Sequence, residues 1–264
     1  MAENSWLIRN TAARRGRTVF VTPATNDFKY ISAARILLDA AHPSITAHNA
    51  GAETTLLVLH GTGRVRVGGH IYNVSRFDGV YVPRDEEFIV ETDTALDILE
   101  GSAPTDMVFP AAHARHEETR TQEGMHLNVG GESTSREIFK AVAENVQGAK
   151  LLTGVTMSKP GNWTSWPPHE HAATQEELYV FFDMPRPGFG TQFVYTDMSN
   201  PELIAPVYEN DAVVLVKGYH PNVAAPGYPI NFAWILCSLE DLTWRRVGGV
   251  NVQPEFQQTE TGLR

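Results

Sequence analysis

Residues 167–182 read PPHEHAATQEELYVFF, and the way this stretch folds decides how the rest of the chain is read. QEELYVFF has the apolar, aromatic-rich content of a buried strand. In extended chain, residues i and i+2 point to one face. His169 and His171 then stand side by side, and a carboxylate arrives from the strand that follows. Of the two neighbouring glutamates, Glu177 shares a face with Tyr179 and Phe181, whereas Glu176 sits at the strand entrance and faces the other way. The plain alternative is polar surface, because a lone His-x-His in a loop belongs to solvent more often than to a metal.

Outward from this stretch, 21 glycines and 16 prolines punctuate short apolar runs, the pattern of strands joined by tight turns. TTLLVLHG (54–61), GRVRVGG (63–69), GVYVP (79–83) and EFIVET (87–92) read as successive strands in the first half. GVTMS, ELYVFF, TQFVYTD, DAVVLVKGYH and INFAWILCS repeat the style in the second. The one helix candidate is SREIFKAVAENV (135–146), with Ser135 as its N-cap, and a strand followed by a turn is the competing reading there. The halves echo each other: 53–83 and 177–218 each run Glu, apolar strand, glycine-containing hairpin, second strand. We therefore expect an all-β, duplicated architecture with units at 1–120 and 121–264, divided in the polar stretch HARHEETRTQEG (113–124). Units of this kind close as barrels or jelly rolls to remove their edges.

The net charge of −10 argues against nucleic acid as a partner. The single cysteine, Cys237, excludes an intramolecular disulfide, fits a reducing compartment and reads as a small core residue. MAENSWLIRNTAARRGR carries no apolar leader core, and no stretch has the length to span a bilayer. The expectation is a cytoplasmic protein with no membrane partner.

His220 ends DAVVLVKGYH just after Gly218, where a side chain can turn into a barrel mouth. With His169, His171 and Glu177 it makes three imidazoles and one carboxylate. That set leaves open positions on octahedral Mn, Fe or Ni, or completes a tetrahedral Zn shell, so one divalent metal per chain is expected. In the first half His48 and Glu53 fall near the corresponding positions, but there is no His-x-His, and Arg84 and Asp85 stand where the late histidine would be. That half is expected to be structural or a dimer-forming partner, with His60 and His70 solvated or hydrogen-bonded.

The order His-x-His, Glu, late His on a duplicated β unit resembles the cupin pattern. GNWTSWPPHEH (161–171), GFGTQFVYTD (188–197), VLVKGYHP (214–221) and GRTVFVTPATNDFKYIS (16–32) further resemble the 5-deoxy-glucuronate isomerase family of inositol catabolism. EELYVFFDMP looks closer to the related 5-keto-4-deoxyuronate isomerases. The resemblance implies a bicupin of two jelly-roll barrels, with the metal held by His169, His171, Glu177 and His220 in the C-terminal one. It also implies a homo-oligomer acting on a small acidic sugar, turning 5-deoxy-glucuronate into 5-dehydro-2-deoxygluconate. Tyr179, Tyr195, Glu170 and Glu176 are candidates near the transferred proton. Lys217 and Arg186 are candidates for the substrate carboxylate, and Trp166 for the sugar. The chain departs from the family at Phe193, Phe181 and Phe182, where polar residues are expected, which weakens the substrate assignment more than the metal. An iron dioxygenase and a non-catalytic sugar-binding cupin remain alternatives, and fold alone does not separate them.

Overall fold

The computed structural model describes residues 5–243 and 245–257. Apart from a four-residue helix, His116–Thr119, and a 3-10 turn, Pro254–Phe256, its regular elements are strands. They form two sandwiched barrels of the same plan. In the first, a six-stranded sheet runs Ala112–Ala114, Gly79–Val82, Ala52–Gly61, Ala95–Pro104, Ser32–Asp39, Gly16–Val21, backed by four strands between residues 44 and 91. In the second, a seven-stranded sheet runs Leu7–Ile8, Ala212–Leu215, Gln175–Phe181, Phe232–Ser238, Leu151–Ser158, Arg136–Val142, His126–Val129, backed by four strands between 163 and 207 and at 222–224. One strand crosses over: Leu7–Ile8 pairs antiparallel with Val213 and Ala212 and so completes the second barrel from the N-terminal side.

The two large sheets face each other, which explains why their central strands read as continuous apolar runs rather than alternating ones. Along Ala52–Gly61 the even side chains Leu56 and Val58 fill the first barrel. The odd ones, Leu57 and Leu59, join the cluster of the second barrel, with Leu152, Val180 and Ile235. A strand covered on both faces has no polar side to show. The approach is close enough at Gly101 that a Cβ there would meet Ile235 Cδ1 at 2.8 Å, so any larger residue would have to push the Ile235 side chain aside.

Two carboxylates lock this interface reciprocally. Glu53, from the first barrel, accepts the backbone N–H groups of Ala149, Lys150 and Leu151 at 2.7, 2.7 and 2.8 Å, and the Tyr81 hydroxyl at 2.8 Å. Glu176, from the second, accepts the N–H groups of Lys29, Tyr30 and Ile31 at 2.7, 2.8 and 2.7 Å. Each glutamate is the second residue of its strand, and each points at the other barrel. The echo between the halves is therefore offset by one from the expected one: Glu53 corresponds to Glu176, and Thr54 to Glu177.

SREIFKAVAENV is not a helix. Arg136–Val142 is a strand between His126–Val129 and Leu151–Ser158, followed by a turn. Arg136, Ile138, Lys140 and Val142 are all buried on it, so polar side chains on the inner face conceal the alternation.

Candidate active site

The mouth of the second barrel gathers the histidines. Thr174 and Gln175 amides bond back to the His171 carbonyl, closing the turn that swings the chain from His169–Glu170 into Gln175–Phe181. His220 follows Gly218, whose φ of +79° is backbone that glycine favours. A Cβ at Gly218 would also meet the Tyr195 carbonyl oxygen at 2.8 Å. Strand register puts Glu177 opposite Leu215 on one side and Leu236 on the other, with its side chain inward beside Tyr179.

Ligand atoms of His171, Glu177 and His220 all lie within 4.8 Å of one another. Glu177 Oε2 is 3.0 Å from His171 Nε2 and 3.5 Å from His220 Nε2. The His169 ring stands beside them, 4.7 Å from that of His220 and 6.4 Å from that of His171, centroid to centroid. The other nitrogen of each ring faces a backbone carbonyl: His169 Nδ1 the Pro167 oxygen at 2.8 Å, His171 Nδ1 the Gln175 oxygen at 3.2 Å, His220 Nδ1 the Gly218 oxygen at 3.0 Å. A carbonyl can only accept, so each Nδ1 carries a proton; His169 and His220 then keep the lone pair at Nε2 that a metal ligand needs, whereas His171 Nε2 is hydrogen-bonded to the Glu177 carboxylate at 3.0 Å. His220 Nε2 is buried with no hydrogen-bond partner, a costly arrangement unless something coordinates it. Burial holds His169 down to about 4, against the Pro167 carbonyl, which works the other way. Burial likewise keeps His220 well below its ordinary value. Burial also opposes a charge on His171, but the bond to Glu177, that carboxylate's charge and the Gln175 carbonyl together outweigh it and raise that imidazole. The donor set fits a divalent ion in type, tautomer and convergence.

His169, His171 and Glu177 line a cavity of about 70 Å³ with Ser165, Tyr179, Phe232, Trp234 and Arg136. Tyr179 Oη is 2.8 Å from Ser165 Oγ, and burial followed by the nearby Glu177 charge raises its phenol well above the ordinary value. It is therefore a neutral O–H group at neutral pH. Val247, Gly248 and Val250 roof the cavity. They belong to a strap whose next residues, Asn251–Val252, pair with His169–Glu170.

The other expected residues lie elsewhere. Glu176 points away into the interface described above, so it does not reach the cavity. Glu170 is turned to the strap, accepting from Asn251 Nδ2 at 2.5 Å and from the Ala172 amide at 2.9 Å. Tyr195 donates to Gln253 Oε1 at 2.7 Å, also on the strap. Lys217 is half exposed and paired with Glu202 at 3.0 Å. Arg186 lies over the Tyr208 ring beside Arg9, in a different hollow. Trp166 packs between Trp163 and Phe256 at the rim. Phe181 and Phe182 are fully buried core, and Phe193 stacks on Trp163, so none of the three lines the cavity. In the first barrel His48 is exposed and no ligand cluster forms among the described residues. The residue that sequence reasoning missed is Arg136, masked by its helical reading; the i, i+2 relation to Ile138 on a strand is the signal that would have placed it in this wall.

Two jelly-roll barrels in one chain, with a convergent His/Glu cluster inside the mouth of one, define a bicupin. The chain belongs to the KduI/IolB family, whose sequence profile matches residues 6–256, and it is an enzyme, a sugar isomerase of that family. It is 28% identical over 230 residues to a 5-deoxy-glucuronate isomerase of Geobacillus thermodenitrificans, covering 81% of this chain and 82% of that one. It is 27% identical over 192 residues to a 4-deoxy-L-threo-5-hexosulose-uronate ketol-isomerase of Opitutus terrae, covering 70% and 66%. An IolB-like protein from Salmonella typhimurium LT2 superposes with a TM-score of 0.83 at 23% identity, over 96% of this chain and 98% of that one. The Bacillus subtilis oxalate decarboxylase, a protein with Mn(II) centres, shares the fold at a TM-score of 0.62 and 11% identity, over 89% and 79%. No helix among the described residues is long and apolar enough to cross a membrane.

Proposed function

We propose that this chain is a metal-dependent aldose–ketose isomerase of a deoxy-uronate, converting 5-deoxy-glucuronate to 5-dehydro-2-deoxygluconate. The observation that carries the reading is the set of imidazoles whose Nδ1 protons are tied to backbone carbonyls, with the ligand atoms of His171 and His220 converging on Glu177 and the His169 ring beside them. His169, His171, Glu177 and His220 hold one divalent ion, drawn from Zn, Mn, Fe or Ni. When bound, that ion acts as a Lewis acid towards the carbonyl oxygen and fixes it against the neighbouring hydroxyl.

The chain supplies the rest. Isomerisation moves a proton between adjacent carbons and needs a matching exchange at the two oxygens. Tyr179, neutral and bonded to Ser165, presents its O–H on the cavity wall and orients a substrate oxygen by hydrogen bonding, keeping its proton. Phe232, Trp234 and the strap residues Val247 and Val250 exclude bulk water, which strengthens every charge interaction inside. The Geobacillus thermodenitrificans relative favours 5-deoxy-glucuronate as substrate. A second reading, 4-deoxy-L-threo-5-hexosulose-uronate as substrate, has the Opitutus terrae relative in its favour.

The test is elemental analysis of the purified protein together with turnover of both sugar acids. About one metal per chain, with turnover that chelation abolishes and metal restores, is the expected result. A fully active protein after exhaustive metal removal would overturn the metal dependence, and turnover of neither acid would overturn the substrate class.

A further inference from the structure

The cavity wall carries one full positive charge that nothing answers. Arg136 is buried to 3% exposure, and it lines the cavity beside Ser165, His169 and Tyr179. Two of its five N–H groups are engaged: Nη1 donates to the Thr134 carbonyl at 2.8 Å and Nη2 to the Trp166 carbonyl at 2.7 Å. Those bonds fix the guanidinium plane without neutralising it. Among the described residues no carboxylate forms an ion pair with Arg136. The contrast is with Arg35, just as buried, which is matched by Asp97 at 2.5 Å. Burying an ionised group without a counter-charge is expensive; Lys140, the other cation buried on this strand, is answered by Glu144 at 3.2 Å. A desolvated, pre-oriented guanidinium fork is the group best matched to a carboxylate.

We propose that Arg136 is the carboxylate anchor of the pocket, receiving the acid end of a sugar acid while the carbonyl end lies at the His171–Glu177–His220 cluster. This deepens the isomerase reading and rests on it for the identity of the substrate, but not for the existence of the acid site. It replaces Lys217 and Arg186 in that role, since Lys217 is engaged with Glu202 outside and Arg186 lies in another hollow. It also makes the pocket discriminate acids from neutral sugars.

The test compares methyl β-D-glucuronide with methyl β-D-glucoside, which differ only in carboxylate against hydroxymethyl and whose blocked anomeric carbon prevents isomerisation. Calorimetric binding to the metal-loaded protein is expected to favour the glucuronide by about 100-fold, and Arg136→Met to remove that preference. Metal content and melting temperature of the variant are measured alongside. Arg136→Lys keeps the charge and loses the fork, so it should retain a reduced preference for the acid even if the Met variant folds poorly. Equal binding of the two glycosides by the wild type, an undiminished preference in Arg136→Met, or equal binding in a folded Arg136→Lys protein each overturns the proposal. If the glucuronide preference behaves as expected while 5-deoxy-glucuronate is not turned over, the acid site stands and the isomerase reading falls. If turnover occurs and Arg136→Met costs the acid substrate and the neutral 5-deoxyhexose equally, the isomerase stands and the anchor falls.

Discussion

The two barrels occupy the same lattice of strand pairs and use it oppositely. Thr54 pairs with Ser102 in the first barrel, where Glu177 pairs with Leu236 in the second. Glu100 pairs with Leu56, where Trp234 pairs with Tyr179. At the first mouth Glu100 is fully answered: Arg17 donates from Nε and Nη2 at 2.7 and 2.6 Å, and Asn49 Nδ2 adds a bond of 2.8 Å. At the second mouth the polar groups are left short, with His220 Nε2 bonded to nothing and Arg136 without a counter-ion. A buried network that satisfies itself is architecture. One that leaves specific donors and lone pairs waiting is built around a visitor.

That comparison can be broken or sharpened experimentally. The largest effect is expected for His171→Ala, which should lose its metal entirely while keeping the fold, read by elemental analysis and circular dichroism; a fully loaded variant would sink the cluster. Glu177→Gln should weaken metal binding by about 10- to 100-fold and Glu176→Gln should leave it unchanged, because only Glu177 faces the imidazoles. The reversed order would mean that the inner and outer faces of Gln175–Phe181 are exchanged. Glu53→Ala should cost about 4 kcal/mol in denaturant unfolding, since three backbone N–H groups and a phenol lose their acceptor in the interface. Glu176→Ala should cost slightly less, with one fewer donor stranded.

A smaller effect concerns acid. His169 is held down to about 4 in the folded protein, against roughly 6.5 in an unfolded chain. Between those values the unfolded chain binds a proton that the folded one refuses, so stability of the metal-free protein falls as pH drops from about 6.5 to about 4. His171, raised by Glu177, works in the opposite direction and blunts the slope. His169→Asn should flatten the fall, measured by melting temperature against pH; a steeper fall in that variant would contradict the assignment. The smallest effect is expected for the double variant Arg17→Met with Glu100→Leu, which should stay within about 1 kcal/mol of the wild type and turn over substrate normally. A large loss of turnover there would make the first mouth a working site.

Much of this was legible in the chain. Period-two alternation around His169 and His171, and the opposite facing of Glu176 and Glu177, need only the geometry of one strand. The glycine and proline spacing carried the all-β class in the same local way. What failed was long-range. Nothing near Glu176 in sequence announces that its acceptors' partners are the amides of residues 29–31, 145 to 147 positions away. Arg136 was hidden because a charged residue reads as exposed, and because apolar side chains on both faces of Arg136–Val142 imitate a helix. Lys217 and Arg186 looked suitable as cations, but counter-charges and ring faces that fold against them decide their fate, and neither is local.

The strap has a consequence in chain order as well as in space. Its hold is distributed: two residue pairs with His169–Glu170, the Gln253 amide on the Pro168 carbonyl at 2.9 Å, Tyr195 on Gln253 at 2.7 Å, Asn251 on Glu170 at 2.5 Å, and the Val247 amide on Glu144 at 3.0 Å. At its root Gly248 and Gly249 take φ values of +99° and +75°, a bend open to glycine and to few other residues. A cavity of about 70 Å³ is small beside the several hundred usual for ligand pockets, and the strap lines one side of it. The strap also follows in the chain every strand it covers. Every strand of the second barrel's large sheet thus precedes in the chain the segment that closes its mouth.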